Sequence, residues 1–365
     1  MAAATPDPRV RDLAELLVGR CLDVQPRWQV SVRATPLARP LVDELARAIA
    51  RRGAFFLPRI HWGPDRFRVD YEWALEAPLE LLEELPPIEA HAVEHEDARL
   101  TIRAPEDVHA GAELPPERRE RLQKAMEPAS RRARSLDVRW AVVQFPTEAS
   151  AAEAGMSLAE YEDFVYGACL LDWDAEERRM RRIKERFDAT ERLRIVGEGT
   201  ELDLSIAGRE GIVSAGLRNM PDGEVFYSPV EDSAEGVVTF AEFPAVYLGR
   251  QVEGARLVFR EGRVVEATAE AGEDFLRQML ETDAGARRLG ELGLGCNPRI
   301  TRFTQNVLFD EKIDGTVHLA LGGSYTYAGG RNESAIHWDM VKDLRPGGEL
   351  HADGELVQRD GRWLI

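Results

Sequence analysis

The sequence predicts two domains: an N-terminal α/β domain, then an α+β domain that is mainly antiparallel β. Three observations carry that prediction. Helix-period and strand-period hydrophobic segments alternate between Val10 and Leu57, a densely charged helix spans Asp174–Asp188, and after Thr190 short alternating strands separated by glycine turns take over. At 365 residues the chain also exceeds the size that one core usually serves. The boundary is expected near Ala189, giving domains 1–189 and 190–365.

In the first domain Val10, Leu13, Ala14, Leu16 and Leu17 follow helical spacing, and Gln29–Arg33 alternates as a strand does. Pro40 suits a first helical turn, where its missing N–H costs nothing. The helix it opens places Leu41, Leu45, Ala48 and Ile49 on one face, and Ala54–Leu57 supplies the next strand. Strand, helix and strand joined so tightly predict a right-handed βαβ unit. Trp140–Phe145 reads as a buried strand, and Ser157 with Glu160 forms a capping box for a helix through Tyr161, Phe164 and Val165. In Asp174–Asp188 the basic residues Arg178, Arg179, Arg181, Arg182 and Lys184 interleave with acids, which predicts a solvated helix joining the domains.

In the second domain Leu193–Val196 and Leu202–Ile206 alternate around Gly197 and Gly199, as a hairpin does. Strands follow at Val237–Phe240 and Val258–Arg260, with one helix at Asp274–Leu280 before the phrase LGELGLG.

Forty-seven basic against sixty-five acidic residues give a formal charge of −18, which argues against nucleic acid and anionic membrane surfaces as partners. Three widely spaced cysteines, Cys21, Cys169 and Cys296, read as reduced thiols. Charges at Arg9, Arg11, Asp12 and Glu15 interrupt any leader-like apolar run, and no stretch reaches membrane-spanning length. A cytoplasmic protein is expected.

The chemistry concentrates between Asn219 and Asp339. Glu224 follows a Pro-Asp-Gly turn and opens a strand; Glu291 stands among apolar and glycine residues, where a carboxylate needs a cation or hydrogen-bond donors. Glu311 and His318 flank a turn at 312–315 and are expected to meet across a hairpin. His337 and Asp339, one residue apart, share a strand face with Trp338 opposite. Four carboxylates and two imidazoles suit two divalent cations, and a pair about 3.5–4 Å apart can clamp both oxygens of a hydrolysis.

Each piece also has a bland reading, as a surface carboxylate or a satisfied core histidine. A rival spacing, His91-x-x-Glu94-His95, matches H-x-x-E-H and requires a helix. Pro86-Pro87 just upstream and the strand-like Ala98, Leu100 and Ile102 downstream predict that this helix does not form. Gly197-Glu-Gly199 lacks the third glycine of a dinucleotide loop, so nucleotide binding is not expected.

Taken in order, NMPDGEVFYSPVEDSAEG, TDAGARRLGELGLGCNP, LFDEKIDGTVHLALGGSY and IHWDMVKDLR resemble the M29 family of metallo-aminopeptidases, the aminopeptidase T and aminopeptidase S group. The likeness is strong from Gly197 onward and thin before it. It implies that Glu224, Glu291, Glu311, His318, His337 and Asp339 bind two divalent metals, zinc, cobalt, manganese or magnesium, with Tyr325 as a catalytic side chain. It also implies peptide substrates with a free N-terminus and a homodimer.

On that reading Glu224 or Glu291 bridges the metals, Glu291 relays a proton to the leaving amine, and Tyr325 donates a hydrogen bond to the oxyanion. The spacing from Glu311 to His318 is longer than in those relatives and the chain is shorter overall. The alternatives are a related bimetallic amidase or dipeptidase and a catalytically silent metal- or peptide-binding protein.

Overall fold

The computed structural model describes residues 7–63, 69–111, 114–134 and 137–365. Residues 1–6, which begin the segment read above for a leader, lie outside the described residues. The chain divides into two compact units, Met1–Leu170 with Gly216–Pro221, and Leu171–Ala215 with Asp222–Ile365.

The first unit is built on a five-stranded sheet. Its spatial order is Phe55–Ile60, Gln29–Ala34, Ala98–Arg103, Arg139–Gln144 and Asn219–Met220, with every pairing parallel. The expected strand-helix-strand unit is its start: helix Arg39–Arg51 buries Leu41, Val42, Leu45, Ala48 and Ile49 between strands Gln29–Ala34 and Phe55–Ile60. The opening helix Pro8–Leu16 has Pro8 in its first turn, and the Asp7 side chain accepts from the Arg9 N–H. Ser157 and Glu160 form the predicted capping box of helix Leu158–Cys169.

The segment around His91 differs from expectation. Pro87–His95 is a helix, because Pro87 occupies the first turn, where a proline initiates rather than breaks. The helix needs only two residues, Glu96 and Asp97, to reach strand Ala98–Arg103. The exposed rings of His91 and His95 stack with centroids 4.0 Å apart.

The second unit begins at Leu171 rather than near Ala189, so helix Trp173–Asp188 belongs to it instead of joining two domains. Packing explains the shift. The helix is charged on one face but buries Trp173, Met180, Ile183 and Phe187 on the other. The Phe187 ring packs against Tyr227 and Trp363 with centroids 6.2 and 6.0 Å away, and the Tyr227 hydroxyl donates to Asp188 at 2.9 Å. Arg179 on the same helix pairs with Asp314 at 3.2 Å.

Two antiparallel sheets make up the body of this unit. The larger has eight strands and contains the predicted hairpin, Arg192–Gly197 against Thr200–Ser205, turned by Gly199 at φ +59°. The smaller runs in spatial order His337–Asp343, Thr316–Gly322, Leu289–Gly295, Glu224–Tyr227 and Ile212–Ser214. It carries Glu224, Glu291, His318, His337 and Asp339, whereas Glu311 lies outside it at the end of helix Val307–Asp310.

Candidate metal centre

Period-two alternation assigns the two faces of the five-stranded sheet. On one face Val225, Tyr227, Leu292, Leu294, Val317, Leu319, Leu321, Trp338 and Met340 are all buried. Trp338 stacks on Tyr247 at 5.4 Å and meets Phe275 at 5.7 Å. Each large apolar side chain so buried stabilises the fold by about 1.5–3 kcal/mol, which anchors the sheet and fixes the direction of its other face.

That other face carries Glu224, Glu291, His318, His337 and Asp339, and the residues between them are small. Register sets Gly295 beside Glu224, Gly293 beside His318, Ala320 between Glu291 and Asp339, and Gly322 beside His337. Directly opposed Cβ atoms in an antiparallel pair lie about 4.5–5.5 Å apart, so small neighbours leave the ligands room to converge. Gly293 is the tightest case: a Cβ there would lie 1.9 Å from Cε1 and 2.0 Å from Nε2 of His318. Gly293 thus makes room for an imidazole, while Gly290 and Gly295 admit the backbone carbonyls of Gly323 and Ile313.

The polar atoms form two sets that share Glu291. Oε1 of Glu291 is 3.2 Å from His318 Nε2, which in turn lies 3.5 Å from Oε2 of Glu224. Oε2 of Glu291 is 3.3 Å from His337 Nε2, itself 3.5 Å from Asp339 Oδ1. In each set, Glu224–Glu291–His318 and Glu291–His337–Asp339, one ligand atom per residue lies within 4.8 Å of the others.

Both rings are held for ligation. His318 Nδ1 is 2.9 Å from the carbonyl of Glu311, and His337 Nδ1 is 2.7 Å from the carbonyl of Gly323. A carbonyl only accepts, so each Nδ1 carries the proton and each Nε2 faces the carboxylates, the outer-shell arrangement of metal-binding histidines. Oε2 of Glu224, fully enclosed, has no hydrogen-bond partner, and its desolvation calls for a cation. The donor set of carboxylate oxygens and imidazole nitrogens fits zinc, cobalt or manganese.

Electrostatics point the same way. Burial pushes Glu224 up to about 8, against the opposing pull of Lys312. Burial works against a charged His318, but its hydrogen bond to Glu291 and the charge of Glu224 push it up to about 10. Asp339 falls to about 2 because His337 outweighs its burial. Burial and the neighbouring Glu291 drive the Tyr325 phenol well above its usual range, so it remains a hydrogen-bond donor across ordinary pH. Without metal, protons on the two imidazoles supply the positive charge that the carboxylates require.

Five of the six expected ligands therefore converge. Glu311 is held differently: it caps a short helix, Val307–Asp310, so no hairpin joins it to His318. The chain instead turns into strand Thr316–Gly322, and Glu311 meets His318 through its carbonyl. Its carboxylate pairs with Lys312, a fully buried lysine that also lies 3.7 Å from Glu224. Lys312 escaped the sequence reading because a lysine after a glutamate at a turn looks like a surface pair.

Tyr325 sits where strand Thr316–Gly322 runs into the 3-10 turn Thr326–Ala328, with its ring 5.2 Å from His337 and 5.6 Å from Phe226. His91, Glu94 and His95 form a third set able to hold a cation, exposed on their helix in the other unit.

Known proteins resemble this chain over nearly its whole length. The sequence model of the family described as thermophilic metalloprotease (M29) matches residues 7–363. Aminopeptidase T of Thermus thermophilus is 30% identical over 97% of this chain and 98% of its own. The solved structure of wild-type AmpT from that organism superposes with a TM-score of 0.84 at 28% identity, covering 98% of this chain and 99% of the other. A 2,5-dihydroxypyridine dioxygenase from Pseudomonas putida KT2440 matches at a TM-score of 0.61 and 14% identity over 99% of both chains, a likeness of fold alone.

Proposed function

Since the chain belongs to the M29 family of thermophilic metalloproteases, we infer that it is a metal-dependent aminopeptidase that releases the N-terminal residue of peptides. One observation carries the reading: two imidazoles, each fixed through Nδ1 to a backbone carbonyl, direct Nε2 onto opposite oxygens of one buried carboxylate, Glu291. A merely structural carboxylate needs no such pair of prealigned nitrogens.

Glu224, Glu291 and His318 are proposed to hold one divalent cation, and Glu291, His337 and Asp339 a second, with Glu311 completing the set beside Glu224. Zinc, cobalt, manganese and magnesium are the candidates. Bound there, such cations supply Lewis acidity to the scissile carbonyl and lower the pKa of water toward neutrality.

The remaining roles fall to the chain itself. Glu291 takes the proton of the attacking water and passes it to the departing amine. Tyr325, kept protonated by burial and by Glu291, donates its O–H to the oxygen that gains charge in the tetrahedral intermediate. Phe226, buried and with its ring 5.6 Å from that of Tyr325, limits water on that side. The unblocked amine of the substrate is favoured by the acidic surroundings of Glu291, Glu311 and Asp339.

The proposal extends to a cytoplasmic homodimer. Buried thiols at Cys21, Cys169 and Cys296 suit a reducing compartment, and no helix among the described residues is long and apolar enough to cross a membrane. The dimer rests on the resemblance.

The test compares paired substrates. Metal-free protein reloaded with cobalt, zinc or manganese should cleave an unblocked aminoacyl peptide, lose that activity to chelator, and ignore the N-acetylated twin. Equal rates on both would refute the assignment.

A further inference from the structure

We propose that Lys312 makes the two cation positions unequal: its ammonium stands against the Glu224 position, so that position fills second and more weakly. The inference rests on the metal reading of the centre and goes beyond it in giving a non-ligand residue control of occupancy.

Three observations support it. Lys312 is completely buried, with Nζ paired to Glu311 and 3.7 Å from Oε1 of Glu224. Its backbone is pinned: the N–H donates to the Phe309 carbonyl at 2.9 Å, and its carbonyl accepts from Asn297 at 2.9 Å. The ammonium therefore cannot withdraw to solvent when a cation arrives. Lastly, among the described residues the ion pairs to Glu224, Glu291, Glu311 and Asp339 come from Lys312, His318 and His337 alone.

Charge balance then orders the binding. With the ligands deprotonated, as metal binding requires, the four carboxylates carry four negative charges and Lys312 returns one. One divalent cation leaves the cluster net negative by one; a second makes it net positive by one. The first equivalent belongs at Glu291, His337 and Asp339, the set that does not include Glu224. The second enters beside a fixed ammonium, where like-charge repulsion at a separation of about 4 Å in a protein interior exceeds thermal energy several-fold. Lys312 is a positioning residue here, holding Glu311 and Glu224 through charge and touching no substrate.

The experiment is a titration of the metal-free full-length protein with cobalt, read by equilibrium dialysis with elemental analysis and by the visible spectrum of each added equivalent. Wild type should bind two equivalents in two classes whose dissociation constants differ at least tenfold. Lys312→Met should tighten the weak class at least tenfold, and Lys312→Arg, which keeps the charge, should preserve the gap. If Lys312→Met fails to fold because Glu311 is left unpaired, Lys312→Gln, whose amide N–H can still donate to the Glu311 carboxylate while carrying no charge, should likewise close the gap.

Two equal classes in wild type, cooperative filling, or a gap that survives loss of the lysine would overturn the inference while leaving the metal centre intact. Absence of cobalt binding would instead overturn the metal reading itself, and this inference with it.

Discussion

Gly293→Ala probes the link between sheet register and chemistry. The added methyl would lie 1.9 Å from His318 Cε1, whereas ordinary contact begins at 3.4 Å, so ring or strand must give by about 1.5 Å. The ring has little freedom, since Nδ1 is tied to the Glu311 carbonyl at 2.9 Å and the residue is completely buried.

Overpacking costs about 1–3 kcal/mol. Breaking the Nδ1 hydrogen bond costs a further 1–3 kcal/mol or so. Together these place the destabilisation on the order of 2–6 kcal/mol, which calorimetry on a chain of this size reads as a fall of several degrees in Tm. Function should suffer more, because metal–ligand distances tolerate only about 0.2 Å and the Nε2 atom would move several times that. The expected result is loss of one bound equivalent and of at least about a hundredfold in kcat/KM, the scale set by loss of preorganised contacts. A Gly293→Ala protein that binds two equivalents and turns over normally would refute the claim that the glycine at 293 is required to seat His318.

Three further outcomes follow from the same geometry. Tyr325→Phe should lower kcat by about a hundred- to a thousandfold with metal content unchanged, as loss of one oxyanion donor does; a smaller loss would remove the hydroxyl from catalysis. Glu291→Gln separates two roles: loss of metal by elemental analysis marks a ligand, and full metal with no turnover marks a proton carrier, whereas full metal with normal turnover contradicts both. The third concerns pH. Because His318 is raised from 6.5 to about 10 in the folded protein, its protonation stabilises the metal-free fold fully below pH 6.5, and that stability is lost as pH rises through about 10. Glu224, raised by burial to about 8, acts in the same direction. Calorimetry should therefore find the metal-free Tm falling across this interval and the metal-loaded Tm nearly flat, while metal affinity rises; a flat metal-free profile would contradict the assignment.

Where local chemistry dictates structure, the sequence was readable. The capping box at Ser157 and Glu160, the hairpin around Gly199 and the shared strand face of His337 and Asp339 each rest on neighbouring residues, and each is present. What escaped depends on tertiary packing. Pro87 looked like a barrier and initiates a helix. The charged helix Trp173–Asp188 looked like a solvated connector because its buried stripe, Trp173, Met180, Ile183 and Phe187, is thinly spread among arginines. Glu311 was expected across a hairpin because Val307–Phe309 is apolar, yet Asn306 caps a helical turn there by accepting from the Leu308 N–H. Lys312 was invisible for a related reason, since burial of a lysine is decided by carboxylates far away in the chain, above all Glu224.

The central claim is that one carboxylate, Glu291, organises a two-cation centre with His318 on one side and His337 on the other. Anomalous diffraction from crystals soaked to saturation in cobalt or zinc tests it most directly. The account predicts two anomalous peaks, each within about 2.0–2.2 Å of a Glu291 oxygen, one also bound by His318 and one by His337. A peak confined to His91 and His95, or strong peaks that leave Glu291 without a metal contact, would contradict it.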